Sequence, residues 1–527
     1  MSRRALVAGG ALGLFGLVAP AAAAKKPHRH ETNAATKDMP LVADPTGTPL
    51  VYPPLVDVKP GETYELAAAP ATHAFLKDRP VAVIGYGGSY MGPALRLKRG
   101  ETATVRVVNR LERPTNVHWH GLMVEGRWDG GTGPVLAPGE SFEARLAVDQ
   151  PAATLWYHAH VHGHTTRDVH DGLAGLLIVD DGTAGLLGLP QTWGVDDLPL
   201  VLQDRDFDEK GTPVLPPLSA ALEHGFRGHT PIVNGIADAL ARVPERLVRL
   251  RLLNAAGART FRLAFEDRRP FHLVATDGGV LDAPVELTFL PLAPGERAEI
   301  LVDFSVGPAN LMTEPDVHEH RMGAEVVSLP DVLSGPTRVV AFAPERDSGP
   351  AAPLPKALVP LAALPESTLG LPRRRFELRV GPAAAAATAH AHGGMTMAMP
   401  AGAVDPYTGH VTAGAADAPA LTINGKSFAA DRIDEKVTLG ATEVWEIVCP
   451  DMAHPFHLHG AQARVLSEDG ERPKLWNAGV KDTVLVENSA ELLITFGRSA
   501  DAATPFVFHC HLLEHEDGGM MGTFTVT

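Results

Sequence analysis

Four short stretches of the chain concentrate residues able to hold metal. They are His118-Trp119-His120-Gly121, His158-Ala159-His160, His454-Pro455-Phe456-His457-Leu458-His459-Gly460, and His509-Cys510-His511 followed by His515 and Met520. In an extended strand residues i and i+2 share a face, so each His-x-His aims two imidazoles at one point and turns its middle residue away. The four pairs supply eight imidazoles, too many for one zinc and suited to a cluster of several redox metals bridged by an oxygen species. Cys510, the middle residue of the last pair, faces away from His509 and His511 by the same alternation and meets a different metal. With His454, His515 and the soft thioether of Met520 it completes a His₂Cys set with a weak axial ligand, the pattern of a blue-copper electron-transfer site. The backbone through Cys510 then joins the lone metal to the cluster by a short covalent path.

These residues need strands to position them, and strand signals recur from end to end. Short alternating or apolar runs bounded by Gly and Pro include Thr104 to Val108, Leu247 to Leu253, Ala298 to Phe304, Glu443 to Val448 and Thr523 to Val526. No long amphipathic helix competes with them, so the chain reads as all-β. Internal echoes show a repeated unit of roughly 150 residues. Leu-Ala-Pro-Gly-Glu stands at 136–140 and 292–296, Pro-Phe-His-Leu at 270–273 and 455–458, and Val233-Asn234-Gly235 is matched by Ile423-Asn424-Gly425. His158-Ala159-His160 is followed by Gly172-x-x-Gly175 just as His509-Cys510-His511 is followed by Gly519-x-x-Gly522. The expected organisation is three β-sandwiches at 51–205, 206–345 and 373–527, with a Pro/Ala-rich linker at 346–372 and an inserted loop at 381–414.

Composition narrows the partners. Of 527 residues, 45% are hydrophobic, enough for a core in each sandwich. A formal charge of −16 with no block of Lys and Arg argues against nucleic acid. Against 24 His there are two Cys, Cys449 and Cys510, which excludes a disulfide scaffold and leaves one bridge arithmetically open. Residues 1–24, with Ser2-Arg3-Arg4-Ala5-Leu6, a Gly/Ala/Leu-rich run and Ala21 to Ala24, read as a twin-arginine-type export signal. Ala5 to Ala24 could span a bilayer, but its glycines and Pro20 weaken that reading, and no stable membrane anchor is expected. Residues 25–50 read as a flexible tail. The expected location is the periplasm or the exterior, reached through the twin-arginine machinery.

With the four motifs in this order, the chain resembles three-domain bacterial multicopper oxidases of the laccase and cuprous-oxidase type over nearly its whole mature length. The resemblance implies three consecutive cupredoxin-like Greek-key β-sandwiches and four coppers per chain. It assigns His118 and His457 to the type 2 copper, and His120, His158 and His511 to one type 3 copper. His160, His459 and His509 would hold the other type 3 copper, and His454, Cys510, His515 and Met520 the type 1 copper. Asp129 and Glu516 resemble the family's proton-relaying acids. The middle unit keeps Pro270-Phe271-His272-Leu273 but is read as lacking a His-x-His, and it is therefore expected to be a spacer without copper. The first unit has Ala159 and Leu173 where the third has Cys510 and Met520, so it should lack a mononuclear site.

The implied activity is one-electron oxidation of phenols, aromatic amines or Cu(I), coupled to reduction of O₂ to water. The alternative is a copper-tolerance protein that handles cuprous ion. Non-catalytic relatives of this fold lack the cluster ligands, and copper nitrite reductases differ in domain number and His layout. His162, His164 and His170 read as hydrogen-bonding or solvated neighbours of the ligands. Cys449 reads as a free buried thiol if Cys510 binds copper. Trp119, Trp156 and Phe508 read as packing around the metals. The stretch His390 to Met399, with Met395, Met397 and Met399, reads either as a cuprous-ion docking loop or as a flexible linker.

Overall fold

The computed structural model describes residues 45–322, 325–346, 353–381, 391–392, 395–396 and 419–527. Residues 1–24, read as an export signal, residues 25–44 of the expected tail and, except for short pieces, the segment 381–414 read as a loop, with His390 and Met399, lie outside the described residues. Within them the chain is built from strands in three cupredoxin-like β-sandwiches. The segments read as strands all lie in strands, except Phe304, one residue past Arg297–Asp303. The longest described helix, Thr165–Asp171, has seven residues. No helix among the described residues is long and apolar enough to cross a membrane.

The first sandwich pairs a sheet ordered Leu55–Asp57, Ala94–Lys98, Ala174–Asp180, Ala153–His158 with one ordered Val81–Tyr86, Thr63–His73, Thr102–Asn109, Ser141–Ala147. Thr102–Asn109 shows why it is a strand: Ala103, Val105 and Val107 point into the core while Thr102 and Arg106 face water. The second sandwich packs a six-stranded sheet on an eight-stranded one, the third a six-stranded on a five-stranded.

Two expected edges move. Asp197–Phe207 pairs in parallel with Leu247–Asn254 and antiparallel with Thr230–Val233, so the second sandwich begins near 197 and the boundary at 205/206 cuts a strand. Leu198, Leu200 and Leu202 alternate into the second core, and that burial decides which sandwich the strand joins. The end of the segment expected as a tail, 25–50, is likewise taken up by the second sandwich. Thr48 and Pro49 pair in parallel with Ala239 and Leu240 of the second sandwich, and Leu50 packs against its core. In the 346–372 segment, the amides of Leu358 and Val359 donate to Asp282 and Leu281, strapping this stretch along the second sandwich.

The echoes are structural repeats. Asn234-Gly235 and Asn424-Gly425 both turn through positive φ (49° and 78°, 53° and 72°), as a two-residue hairpin turn requires. Each Asn side chain accepts a backbone N–H, from Val201 and Glu377 respectively. The two Leu-Ala-Pro-Gly-Glu turns close alike, with Glu140 and Glu296 accepting from the amides of Ala137 and Ala293.

Candidate metal centre

Strands His454–Leu458 and Phe506–Cys510 run antiparallel, with His457 opposite His509 and Phe456 opposite Cys510. Side-chain parity sorts the ligands. His457, His459, His509 and His511 leave one face, while His454 and Cys510 leave the other, Cys510 lying in the third core. Cys510 Sγ is 3.4 Å from His454 Nδ1 and 3.6 Å from His515 Nδ1, and the two nitrogens are 3.3 Å apart. Three donors on a nearly equilateral triangle of that size fit one ion with bonds of about 2.0–2.3 Å. His515 comes from the short helix Leu513–Asp517. Fully buried Met520 ties this turn down, its amide donating to His515 and its carbonyl accepting from Cys510. The Leu512 amide donates to Cys510 Sγ at 3.4 Å, and Asp451 Oδ1 stands 3.4 Å from His454 Nε2. Burial pushes the Cys510 thiol well up, so taking up a metal here releases a proton.

The other eight imidazoles converge between the first and third sandwiches. Their ligand atoms group as His118, His120 and His457, as His120, His158 and His511, and as His160, His459 and His509, each within 4.8 Å of its companions. Nδ1 of His118, His158, His457 and His509 donates to the carbonyls of Asp129, Ala159, Asp482 and Cys510 at 2.8–2.9 Å. This bond sets the tautomer and leaves Nε2 with a free lone pair. Nε2 of His118, His158 and His457 is buried without a protein partner, as expected of an atom that a cation satisfies. His120 is reversed: Nε2 donates to Asp482 Oδ1 at 3.1 Å and Nδ1 is the bare atom. Nε2 of His509 lies 3.4 Å from that of His160 and 3.3 Å from that of His459. Burial, reinforced by neighbouring imidazoles, holds His120, His158, His457, His459 and His509 well below the ordinary range. It brings His160 and His511 to about 3. These rings are neutral at pH 7, with lone pairs available to metal, and the donor set fits several soft or borderline ions.

Residues 68–184 and 402–527 each match a multicopper oxidase family model. The chain is 32% identical over 489 residues to multicopper oxidase mco of Staphylococcus haemolyticus, covering 91% of this chain and 92% of the relative. The chain belongs to the multicopper oxidase family. It is also 35% identical over 483 residues to cell division protein FtsP of Dickeya dadantii, covering 91% and 93%. Among solved structures it resembles a laccase-like multi-copper oxidase CueO from the lignin-degrading bacterium Ochrobactrum sp., with a TM-score of 0.77 and 39% identity, covering 91% of this chain and 100% of that one.

In this chain all the residues read as ligands, and both acids, are buried. Asp129 Oδ2 accepts from His459 Nδ1 at 2.7 Å and lies 3.5 Å from His118 Nδ1. Glu516 Oε1 accepts from Thr165 Oγ1 at 2.8 Å and stands 3.5 Å from His160 Nε2, while Oε2 is 3.4 Å from His509 Nδ1. The echo between first and third sandwiches extends to the backbone. Ala159 N donates to Leu173 O at 3.0 Å as Cys510 N donates to Met520 O at 3.1 Å. A methyl and an isobutyl group offer no metal donor there. Trp156 stacks on His158 (ring centroids 4.1 Å apart), and Trp119 and Phe508 lie in the first and third cores. His162 packs on Phe428, His164 precedes helix Thr165–Asp171, and His170 Nδ1 is 3.3 Å from Asp171. Cys449 and Cys510 are both free and buried.

The middle sandwich does more than the expected spacing. Its Arg297, fully buried, donates to Thr154 O and Gly295 O at 3.0 Å and to both carboxylate oxygens of Asp482 at 2.6 Å. Asp482 accepts from His120 through its side chain and from His457 through its carbonyl. One guanidinium of the second sandwich therefore steadies ligands of the first and third. Gly295, at φ 84°, lies against His511, where a Cβ would come within 2.7 Å of the ring. Sequence reasoning missed these residues. Arg297 follows the second Leu-Ala-Pro-Gly-Glu directly, the one signal that could have found it, whereas Asp482 carries no motif. The middle unit also holds a His-x-His, His318-Glu319-His320, which the expectation of a spacer passed over.

Proposed function

We propose that this protein is an exported oxidase with one type 1, one type 2 and two type 3 coppers, which draws single electrons from phenols, aromatic amines or Cu(I) and passes them to O₂. When bound, copper supplies the one-electron steps at the Cys510 site and the four-electron reduction of O₂ to two waters at the cluster. The observation that carries this reading is the linkage: His509 and His511 aim into the imidazole cluster while Cys510 between them belongs to the triangle with His454 and His515. The chain's own residues then do the remaining work. Carbonyls of Asp129, Ala159, Asp482 and Cys510 orient the imidazoles, and burial excludes water. The Leu512 N–H and the Met520 thioether tune the Cys510 site. Asp129 and Glu516, each hydrogen-bonded or close to ligands, are placed to deliver protons that the reduction consumes.

The relatives named cell division protein share this fold, so identity alone does not assign oxidase turnover; the complete ligand set supports it. Residues 1–24, with Arg3-Arg4 before a Gly/Ala/Leu-rich run, support a reading of export to the periplasm or beyond, without a retained anchor, and the net charge of −16 supports small molecules over nucleic acid as partners. Cys510→Ser is the decisive variant. It should lose the intense blue absorption and turnover with every donor while keeping cluster copper by elemental analysis; a blue, active variant overturns the assignment. Sustained O₂ consumption with a phenol separates this reading from cuprous-ion handling alone.

A further inference from the structure

We propose that Glu223, His224, His318 and His320 form a docking site for an oxidisable first-row transition-metal cation, Fe(II) or Cu(I), beside the Cys510 centre. The inference rests on the oxidase reading above for what becomes of the electron, though not for the binding itself.

His318 and His320 lie on strand His318–Met322, which pairs antiparallel with Glu325–Leu329, and two residues apart they share a face. His224 follows helix Leu218–Ala221 and faces both, with ring centroids 5.5 Å from His318 and 5.4 Å from His320. The ligand pairs of the metal centre itself set the scale: 5.0 Å for His120 and His511, 5.2 Å for His454 and His515, 5.8 Å for His158 and His511. Glu223 Oε1 is 3.7 Å from His224 Nε2 and 3.8 Å from His320 Nδ1, too far for hydrogen bonds and close to the spacing of donors around one ion. His224 Nδ1 and His318 Nε2 are buried atoms without a hydrogen-bond partner. His318 repeats the pattern of the cluster ligands, with Nδ1 toward a carbonyl, Asp316 O at 3.5 Å, and Nε2 bare. Burial, with Arg227 nearby, brings His318 down to about 4, and burial lowers His224, so both offer lone pairs at pH 7. Arg227 does not leave the site cationic, because it pairs with Asp316 at 2.9 Å.

The cluster is open to solvent on one side and pinned to the Cys510 centre on the other. The Glu223 side chain is 57% exposed and that of His224 33%. The Phe226 amide, three residues on from Glu223, donates to Glu514, next to His515, at 3.1 Å. Arg321, adjacent to His320, donates its amide to Asp451 O at 2.6 Å and its side chain to Glu487 O at 3.0 Å. Asp451 is the carboxylate beside His454. Three imidazoles and one carboxylate suit borderline ions such as iron and copper better than Mg²⁺ or Ca²⁺, which take oxygen ligands. With copper held by His454, Cys510 and His515 as the one-electron acceptor, each Fe(II) would give up one electron and leave as Fe(III), or each Cu(I) would leave as Cu(II). Four such ions, one O₂ and four protons yield four oxidised ions and two waters.

The test uses the copper-loaded full chain, His318→Ala/His320→Ala, and Glu223→Gln, which removes only the charge. Zn(II), which has no redox chemistry, reads the site by calorimetric titration. Wild type should take up Zn(II) beyond its copper, and both variants should lose about tenfold or more in affinity. In steady-state O₂ consumption, with Fe(II), Cu(I) and a phenol as separate donors, the ratio of metal-ion to phenol kcat/KM should fall by about tenfold in the double variant. Selective loss with either ion supports the site and identifies its occupant. Unchanged Zn(II) titrations overturn it, as does an equal loss with metal ions and phenol. If no donor drives O₂ consumption, the oxidase reading fails while the Zn(II) titration still decides whether the site binds.

Discussion

Replacing Arg297 with Met removes a buried guanidinium and keeps most of its volume. In the native chain this side chain has no exposed surface and meets Asp482 through two contacts of 2.6 Å. Its loss leaves the Asp482 carboxylate buried beside His120 without its cation, and breaking a buried pair from one side costs about 3–5 kcal/mol. Asp277 also suffers: burial already raises its carboxyl to about 6 against the pull of Lys481 and Arg297. An exposed pair provides the control. Arg96 and Asp57 lie 2.5 Å apart with side chains 34% and 47% exposed, and solvent screening limits Arg96→Met to about 0–1 kcal/mol. For sandwiches of this size 1 kcal/mol shifts Tm by roughly 2–4 °C, so Arg297→Met should lower it by roughly 6–20 °C. Differential scanning calorimetry of both variants, with copper analysis after dialysis, reads the effect. Cluster copper should be lost from Arg297→Met and kept in Arg96→Met. Equal Tm shifts would refute the view that a guanidinium of the second sandwich holds the cluster imidazoles in place.

Gly295→Ala places a methyl 2.7 Å from the His511 ring at a positive φ. Backbone strain and overpacking together should cost about 2–5 kcal/mol and reduce cluster copper, and a fully loaded variant of wild-type Tm counts against that contact. Asp129→Asn and Glu516→Gln should keep the blue absorption yet lower kcat for O₂ reduction by about 10²-fold, measured with a saturating phenol; unchanged kcat removes them from proton delivery. Glu299 accepts from Thr154 Oγ1 at 2.6 Å, Arg249 at 2.8 Å and Arg251 at 2.9 Å. Burial pushes its carboxyl up, but Arg249 and Arg251 outweigh burial and bring it to about 2. Since the folded value lies below the unfolded value of about 4.3, its stabilisation, about 3 kcal/mol, is present above that pH and lost as pH falls toward 2. Glu299→Gln should flatten denaturant-derived stability between about pH 4.5 and 2, and an unaltered slope argues against this linkage.

The ligand islands were legible because donor direction along a strand is a local property of period two. Parity alone put Cys510 on the opposite side of its strand from His509 and His511 before any packing was considered. The same rule, applied to His318-Glu319-His320, would have marked the middle unit too, but its companions Glu223 and His224 lie far away in sequence and carry no spacing signal. Domain edges were less legible. Asp197–Phe207 follows the first unit without a break, and only burial of Leu198, Leu200 and Leu202 assigns it to the second core. Arg297, Asp482 and Gly295 reach the cluster solely because three sandwiches pack together. Sequence by itself determined which side chains can bind metal and how they pair along each strand. Tertiary structure alone decided which of them meet, which tautomer each carries, and which buried charge steadies them, because those outcomes depend on distances between segments that no local period encodes.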